Sequence, residues 1–363
     1  MKIGVLCYPT YGGSGVVATE LGKAMAQRGH EVHFINYQLP VRLQGNGYSP
    51  GIYFHEVVVP DYPLFAHSPW TLALAGRLVH VAQEYGLDVI HAHYAVPHAL
   101  AAVLARDIVG KIGVVTTLHG TDITLVGKEP DLLEVTRHGI QRSDVATAVS
   151  HFLAQETRNQ LGVEKDIQTV YNFVDLEQYQ RCPNKLSLGQ DEAVLIHISN
   201  FRPVKRLEDV IRVFAGVRRQ RRAVLLLVGD GPQRCAAQTL ARELGVQEDV
   251  KFMGQEQSIV PLLSAADLLL LPSAKESFGL VALEAMACGV PVVGSAAGGL
   301  PEVVGEAGGI LCPVGDVEAM TKAALSILAD LAPWRRGSRR QAQLFSHTRW
   351  VDEYEQIYRQ VSL

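Results

Sequence analysis

The chain has 363 residues, 48% hydrophobic and 19% charged, with a formal net charge of −4. This length suits two ordinary globular domains with full cores, and the slight acidity gives no general attraction to nucleic acid. The five cysteines (Cys7, Cys182, Cys235, Cys288, Cys312) are scattered with no CxxC pair, which argues against a disulfide framework and for free thiols in a reducing cytoplasm. No apolar run nears the roughly 20 residues that span a bilayer, and the opening MKIGVLCYP has too short an apolar run for a signal peptide.

Residues 2–7 read as a strand, followed by YPTYGGSG, a helix at 16–28 and a second strand at 31–35. This is the opening of a doubly wound sheet. Gly13, Gly15 and Ala18 match the loose dinucleotide fingerprint, but that fingerprint needs an acid at the end of the second strand, and Asn36, Tyr37 and Gln38 stand there. A nicotinamide dehydrogenase is therefore disfavoured. The loop reads as an anion cradle in which Gly12, Gly13 and Gly15 allow close backbone approach and Ser14 adds a hydroxyl. The alternative is a glycine loop that only turns the chain.

Residues 37–72 hold Pro40, Pro50, Pro60, Pro63 and Pro69 around one strand at 52–59. Arg42 is the single Lys or Arg of this stretch, a poor docking surface for anionic lipid. A helix at 71–85 leads to a strand at 88–93. His91, His93, His98 and His119 raise the question of a metal, but no nearby Cys or acid completes a ligand set. A strand at 114–118 ends in His119-Gly120-Thr121-Asp122, just beyond a parallel strand's carboxyl end, where open α/β sheets bind ligands. His119 there can donate to a hydroxyl, or be a capping or core histidine. Strands at 144–148 and 167–171 follow, with a helix starting near Phe152.

The polar, aperiodic stretch 172–192 reads as the domain switch. The βα rhythm then restarts with strands at 193–198 and 223–228. The loop after the first holds Asn200 and Arg202-Pro203-Val204-Lys205-Arg206, and the loop after the second is Gly229-Asp230-Gly231-Pro232. Three cations in five residues before a helix suit a pyrophosphate, because cations are disfavoured at a helix start unless an anion is there. Strands at 250–253 and 267–271 flank a short helix at 259–265. The basic runs 217–222 and 335–340 lack interleaved aromatics and read as solvated surface.

Residues 275–302, KESFGLVALEAMACGVPVVGSAAGGLPE, concentrate the chemistry. Glu276 sits in a loop, and Ser277 reads as the N-cap of a helix at 279–288 that carries Glu284 and an apolar face of Leu280, Leu283 and Ala287. A buried strand at 290–293 and Gly298-Gly299 follow. Two carboxylates flanking free helix-start N–H groups suit a sugar nucleotide, whose hydroxyls want acceptors and whose phosphates want donors.

This segment resembles the donor-sugar signature of the retaining glycosyltransferases of family 4, which have the two-domain GT-B fold. The resemblance runs along essentially the whole chain. It is strongest to the bacillithiol-pathway branch that makes N-acetylglucosaminyl L-malate, through CYPTYGGSGVVATELG, IYFHEV, HAHYAVPHA, VTTLHGTDITLVG, DIQTVYNF, LIHISNFRPVKR and ESFGLVALEAMACGVPVV. It implies two Rossmann-like domains facing a central cleft. Residues 1–172 would bind the acceptor and be joined by a C-terminal helix within about 346–363; residues 173–345 would bind the nucleotide sugar. It further implies UDP-GlcNAc as donor, L-malate as acceptor, retention of the α configuration, no metal or other cofactor, and a cytoplasmic homodimer with no membrane or nucleic-acid partner.

By the same resemblance Glu276, His119 and Lys205 are catalytic. Gly13, Asn200, Arg202, Lys205, Gly231, Ser277, Phe278, Gly279, Leu280 and Glu284 hold the donor, Glu284 at the ribose and Arg202 with Lys205 at the pyrophosphate. The family's usual Arg falls where this chain has Asn200. Ser14, Tyr94, Thr117 and Arg137 are the acceptor contacts. Rival readings are a family 4 enzyme with another acceptor, such as inositol phosphate, and a two-lobed binding protein without catalysis.

Overall fold

The computed structural model describes residues 1–10, 12–44, 50–59, 67–182, 192–256 and 258–362. Pro60, Pro63, Pro183 and Gly189, and residues 183–191 of the expected linker, lie outside the described residues. The chain divides into two compact units, Met1–Asn172 with Thr348–Leu363, and Phe173–His347.

In the first unit, strands β1 (Lys2–Leu6), β2 (Glu31–Asn36), β3 (Ile52–Glu56), β4 (Val89–His93), β5 (Gly113–Leu118), β6 (Val145–Ala148) and β7 (Ile167–Thr169) form a parallel sheet ordered β3-β2-β1-β4-β5-β6-β7. In the second, β8 (Ala193–Ile198), β9 (Ala223–Val228), β10 (Val250–Gly254), β11 (Leu268–Leu271), β12 (Val292–Ser295) and β13 (Gly309–Cys312) form a parallel sheet ordered β10-β9-β8-β11-β12-β13. In both units the order reverses beside the first strand, at β1/β4 and β8/β11, the switch point at which such sheets bind ligands. The central strands are buried along their whole length. This is why they read as continuous apolar runs and not as alternating ones.

Several boundaries differ from the periodicity reading. The first helix begins at Gly13, not at residue 16, because Gly15 packs against backbone: a Cβ there would lie 2.4 Å from the Tyr8 carbonyl. β3 stops at Glu56, short of 59, and β7 at Thr169, short of 171. β12 starts at Val292, beyond Pro291, which brings no N–H to the ladder. Helices Leu100–Val109, Pro130–Arg142 and Arg234–Glu243 have no counterpart in that reading. The first follows an irregular turn with Pro97, and the second carries Gly139 where it approaches Ala95 and Ala99; both interruptions mask the helical period.

The final helix, His347–Val361, completes the first unit's core. Tyr358 Oη lies 2.6 Å from His91 Nδ1 on β4, and Tyr354 Oη 3.1 Å from Thr117 Oγ1 on β5. Val361 sits directly over Gly113, where a Cβ would meet its carbonyl oxygen and Cγ2 at 2.6 Å. Gly113→Val should therefore overpack this contact and destabilise the first unit by about 1–3 kcal/mol, read as a lower midpoint in denaturant unfolding.

Candidate active site

In the second unit the candidate residues lie on loops at the carboxyl ends of β8, β9, β11 and β12. Glu276 is held from three directions. Its Oε1 accepts from Lys205 Nζ at 2.6 Å and from Ser273 Oγ at 2.8 Å. Its carbonyl accepts from Gly299 N–H at 2.8 Å, and Gly298 (φ +64°) lies so close that a Cβ would be 1.8 Å from that oxygen. Ala274 N–H donates to the Val204 carbonyl at 2.8 Å, lacing the Glu276 loop to the Lys205 loop. The pair is mostly shielded, with 21% of the Lys205 side chain and 10% of that of Glu276 exposed.

The Lys205 loop is shaped by His197 at the end of β8. Its Nδ1–H donates to the Leu270 carbonyl at 2.8 Å, leaving Nε2 to accept from Ser199 Oγ at 2.8 Å, and Ser199 Oγ in turn accepts from Phe201 N–H. Burial holds the imidazole down to about 4, so it stays neutral. Phe201 is fully buried in a left-handed conformation (φ 41°), and it anchors the turn that presents Asn200 and Arg202 to solvent. Arg202 has no ion pair among the described residues. The β9 loop touches the same turn: a Cβ on Gly229 would lie 1.8 Å from the Ser199 carbonyl and one on Gly231 2.1 Å from the Asn200 carbonyl. Asn200, Lys205, Gly231 and Glu276 therefore sit on directly contacting loops.

Glu284 lies in helix Leu280–Ala287, 7% exposed, and accepts from Tyr179 Oη at 2.7 Å. Arg339 fixes Tyr179 in turn, donating to the carbonyls of Tyr179 at 2.6 Å, Leu176 at 2.9 Å, and Ala287. The N-cap of this helix is Gly279 (φ +92°), not Ser277 as the sequence suggests. A side chain at 279 would meet Leu300, at 2.6 Å from a Cβ, so only glycine supplies the left-handed turn there. Phe278 is buried with its ring edge on Phe345, 5.8 Å between centroids. Leu280 is half-buried. Tyr179 has no signal in the sequence, since it reaches Glu284 from 105 positions away, and Ser273, three residues before Glu276, reaches it only through the shape of their loop.

In the first unit, Gly13 and Ser14 lie in the first turn of helix Gly13–Gln27, where N–H groups lack intrahelical acceptors. Tyr94 (φ 95°) bonds Thr121 Oγ1 through its hydroxyl at 2.8 Å and stacks on His119 at 5.5 Å. His119 Nε2 lies 3.0 Å from His93 Nδ1. Asp122, fully buried, gathers the N–H groups of Ala95, His119 and Gly120 at 3.2, 3.3 and 2.8 Å, and so ties the ends of β4 and β5 together. Two expected acceptor residues are placed otherwise. Thr117 is completely buried, its hydroxyl taken by His91, Thr147 and Tyr354. Arg137 donates to the Leu161 carbonyl at 2.5 Å and to Glu134 at 2.8 Å. Thr117 meets the His119–Tyr94 group only through its carbonyl, which accepts from the Tyr94 N–H at 2.9 Å, and Arg137 shows no bond to that group among the described residues. Among the described residues no group of three His, Cys, Asp or Glu side chains is arranged to hold a metal.

Burial also governs the titration of these groups. It lowers His30, His33, His55, His91, His93, His98 and His119 below their ordinary value, His91 and His119 to about 3 and His33 and His98 to about 4. It raises Asp122 to about 6 against the pull of the N–H groups around it. A histidine lowered on folding contributes stability that is full above about pH 6.5 and is lost as pH falls toward the folded value, since the unfolded chain takes the proton first. Asp122 works the other way, gaining stability below about pH 6, but it is one group against seven. The melting temperature should fall between pH 7 and pH 4.5, the first unit leading. A melting temperature that is flat or rises over that range would contradict the assignment.

Two family descriptions match the chain, "Glycosyltransferase Family 4" over residues 11–178 and "Glycosyl transferases group 1" over residues 179–342. The N-acetyl-alpha-D-glucosaminyl L-malate synthase of Bacillus anthracis is 48% identical over 99% of this chain and 96% of its own length. A D-inositol 3-phosphate glycosyltransferase of Actinosynnema mirum is 30% identical over 90% of this chain and 85% of its own length. Among solved structures, the sucrose-phosphate synthase of Thermosynechococcus elongatus superposes with a TM-score of 0.83 at 23% identity over 99% of both chains. Anabaena Alr3699/HepE, in complex with UDP and glucose, gives 0.81 at 23% identity over 100% of this chain and 99% of its own. With two parallel sheets, each opening at its own switch point, and relatives matching from end to end, the chain is a glycosyltransferase of family 4 with the GT-B fold.

Proposed function

We propose that the chain transfers N-acetylglucosamine from UDP-GlcNAc to the hydroxyl of L-malate with retention of the α configuration, the first step of bacillithiol formation. The observation that carries this is the 48% identity over 99% of the chain to the Bacillus anthracis synthase of that name. In this reading Glu284, oriented by Tyr179, takes the ribose hydroxyls. Lys205 and Arg202 take the pyrophosphate, with Asn200, Gly231 and the N–H groups of Ser277, Phe278, Gly279 and Leu280 around it.

Charge grows on the leaving phosphate as the glycosidic bond breaks, and fixed cations there lower the barrier. The sugar passes through an oxocarbenium-like state. The malate hydroxyl attacks from the face the phosphate leaves, and its proton goes to that phosphate. Glu276 is already engaged by Lys205 and Ser273, which suits a residue that orients the sugar and not a covalent nucleophile. His119 would meet a sugar hydroxyl, and Ser14 and Tyr94 the acceptor. Arg137 would have to leave Leu161 and Glu134 to meet a malate carboxylate, which counts against it. Five free cysteines suit a reducing cytoplasm, and no helix among the described residues is long and apolar enough to cross a membrane. The homodimer rests on the family resemblance alone.

A second reading, inositol phosphate as acceptor, draws on the relatives of that name at about 30% identity. UDP release with each acceptor, coupled to mass spectrometry of the product, separates the two. The expected outcome is malate-dependent release and a glucosaminyl-malate mass; release that responds to inositol phosphate and not to malate would replace the acceptor. Lys205→Met should lower kcat by roughly 100-fold with a smaller change in KM, the mark of a contact made in the transition state. An unchanged kcat would remove Lys205 from the reaction.

A further inference from the structure

Behind His119 lies a histidine that the proposed mechanism does not use. His93, at the end of β4, is completely buried. Its Nδ1 lies 3.0 Å from His119 Nε2. Its Nε2 is enclosed and has no hydrogen-bond partner among the described residues. Its neighbours are settled. His91 Nδ1 meets Tyr358 Oη at 2.6 Å, and its Nε2 meets Thr117 Oγ1 at 2.7 Å. His98 Nδ1 lies 2.6 Å from the His93 carbonyl, which can only accept, so that nitrogen carries the proton.

Burial keeps both His93 and His119 neutral, so each ring has one N–H, and only one of the two facing nitrogens can carry a proton. If His119 donated from Nε2, His93 Nδ1 would be the acceptor, and the His93 proton would sit on Nε2, a buried N–H with no acceptor. If His93 donates from Nδ1, its enclosed Nε2 is only a bare lone pair. Orphaned buried N–H groups are the rarer and costlier defect. The proton therefore lies on His93 Nδ1 and the His119 Nε2 accepts it. The single N–H of His119 must then be at Nδ1, the nitrogen with no partner among the described residues.

We propose that His93 is a positioning residue that fixes the tautomer of His119, so that His119 presents Nδ1–H, a hydrogen-bond donor and not an acceptor, to the substrate. The substrate half of this statement rests on the proposed function; the tautomer half does not. A donor selects a hydroxyl or phosphate oxygen at that position, and its loss leaves an acceptor facing the same oxygen.

The experiment has two arms. Long-range nitrogen–proton NMR of the wild-type protein, labelled at histidine and assigned with His119→Gln, reads which nitrogen of His119 is protonated. Nδ1–H is expected, and Nε2–H overturns the proposal whether or not the enzyme turns over malate. The second arm compares His93→Asn, whose amide can still donate to His119 Nε2, with His93→Asp, whose carboxylate can only accept. His93→Asn should keep kcat within a factor of a few. His93→Asp forces the proton to Nε2 and should lower kcat at pH 8 by roughly tenfold or more, about one hydrogen bond's worth. It should recover as pH falls and His119 gains a second proton at Nδ1. Equal activity of the two variants at pH 8 would overturn the proposal. If the Asp variant fails to fold, the wild-type NMR decides. If wild-type enzyme transfers no sugar to any acceptor, the proposed function fails while the tautomer result stands.

Discussion

The strands of both sheets are parallel, and their central members are buried on both faces, so packing consumes their side chains. Polar chemistry can then appear only where the strands end. The candidate loops of each unit obey this. The Lys205 loop leaves β8, Gly231 leaves β9, Glu276 follows β11, Gly298 follows β12, and His119 and Tyr94 leave β5 and β4. Within the second unit the loops are held to one another by backbone contacts too close for any Cβ, at Gly229, Gly231 and Gly298. Their relative positions are thus set by main-chain geometry, and the side chains inherit that precision.

The first unit departs from this rule in one respect. It places His91, His93 and Thr117 inside the sheet and satisfies them with Tyr354 and Tyr358 from the last helix. A polar network at such depth is costly unless nearly complete. Its open valence among the described residues, His93 Nε2, belongs to the ring whose Nδ1 faces the residue proposed to touch substrate, and the lack of an acceptor there is what biases the tautomer. Asp122 has a related role: three N–H groups converge on it, and it fixes the turn that carries His119.

Much of this could be read from the residues. Continuous apolar runs such as AVLIHI and AVLLLV mark buried parallel strands, and the residues just beyond them mark the site. Glu276, Glu284, Lys205 and His119 were therefore visible as candidates. What escaped was whatever depends on distant partners or on the exact shape of a loop. Tyr179 holds Glu284 from 105 positions away and Ser273 shares the Glu276 carboxylate through a turn whose shape no propensity states. Thr117 is an acceptor contact by resemblance, yet its hydroxyl is held inside the sheet by His91, Thr147 and Tyr354. Ser277 looked like a helix cap because serine commonly is one, but the approach of Leu300 demands glycine two residues later.

The path of the chain has a consequence for the order of events at the ribosome. The first 172 residues emerge first and hold all of the first sheet. Their core nevertheless lacks a wall until residues 348–361 arrive, since Val361 covers Gly113, Tyr358 meets His91, and Tyr354 meets Thr117. The second unit, by contrast, has its whole sheet and the Arg339 clamp made before that. The unit whose sheet is made first is thus the one that closes later, and its buried histidines stay open to water until residues 348–361 have been made.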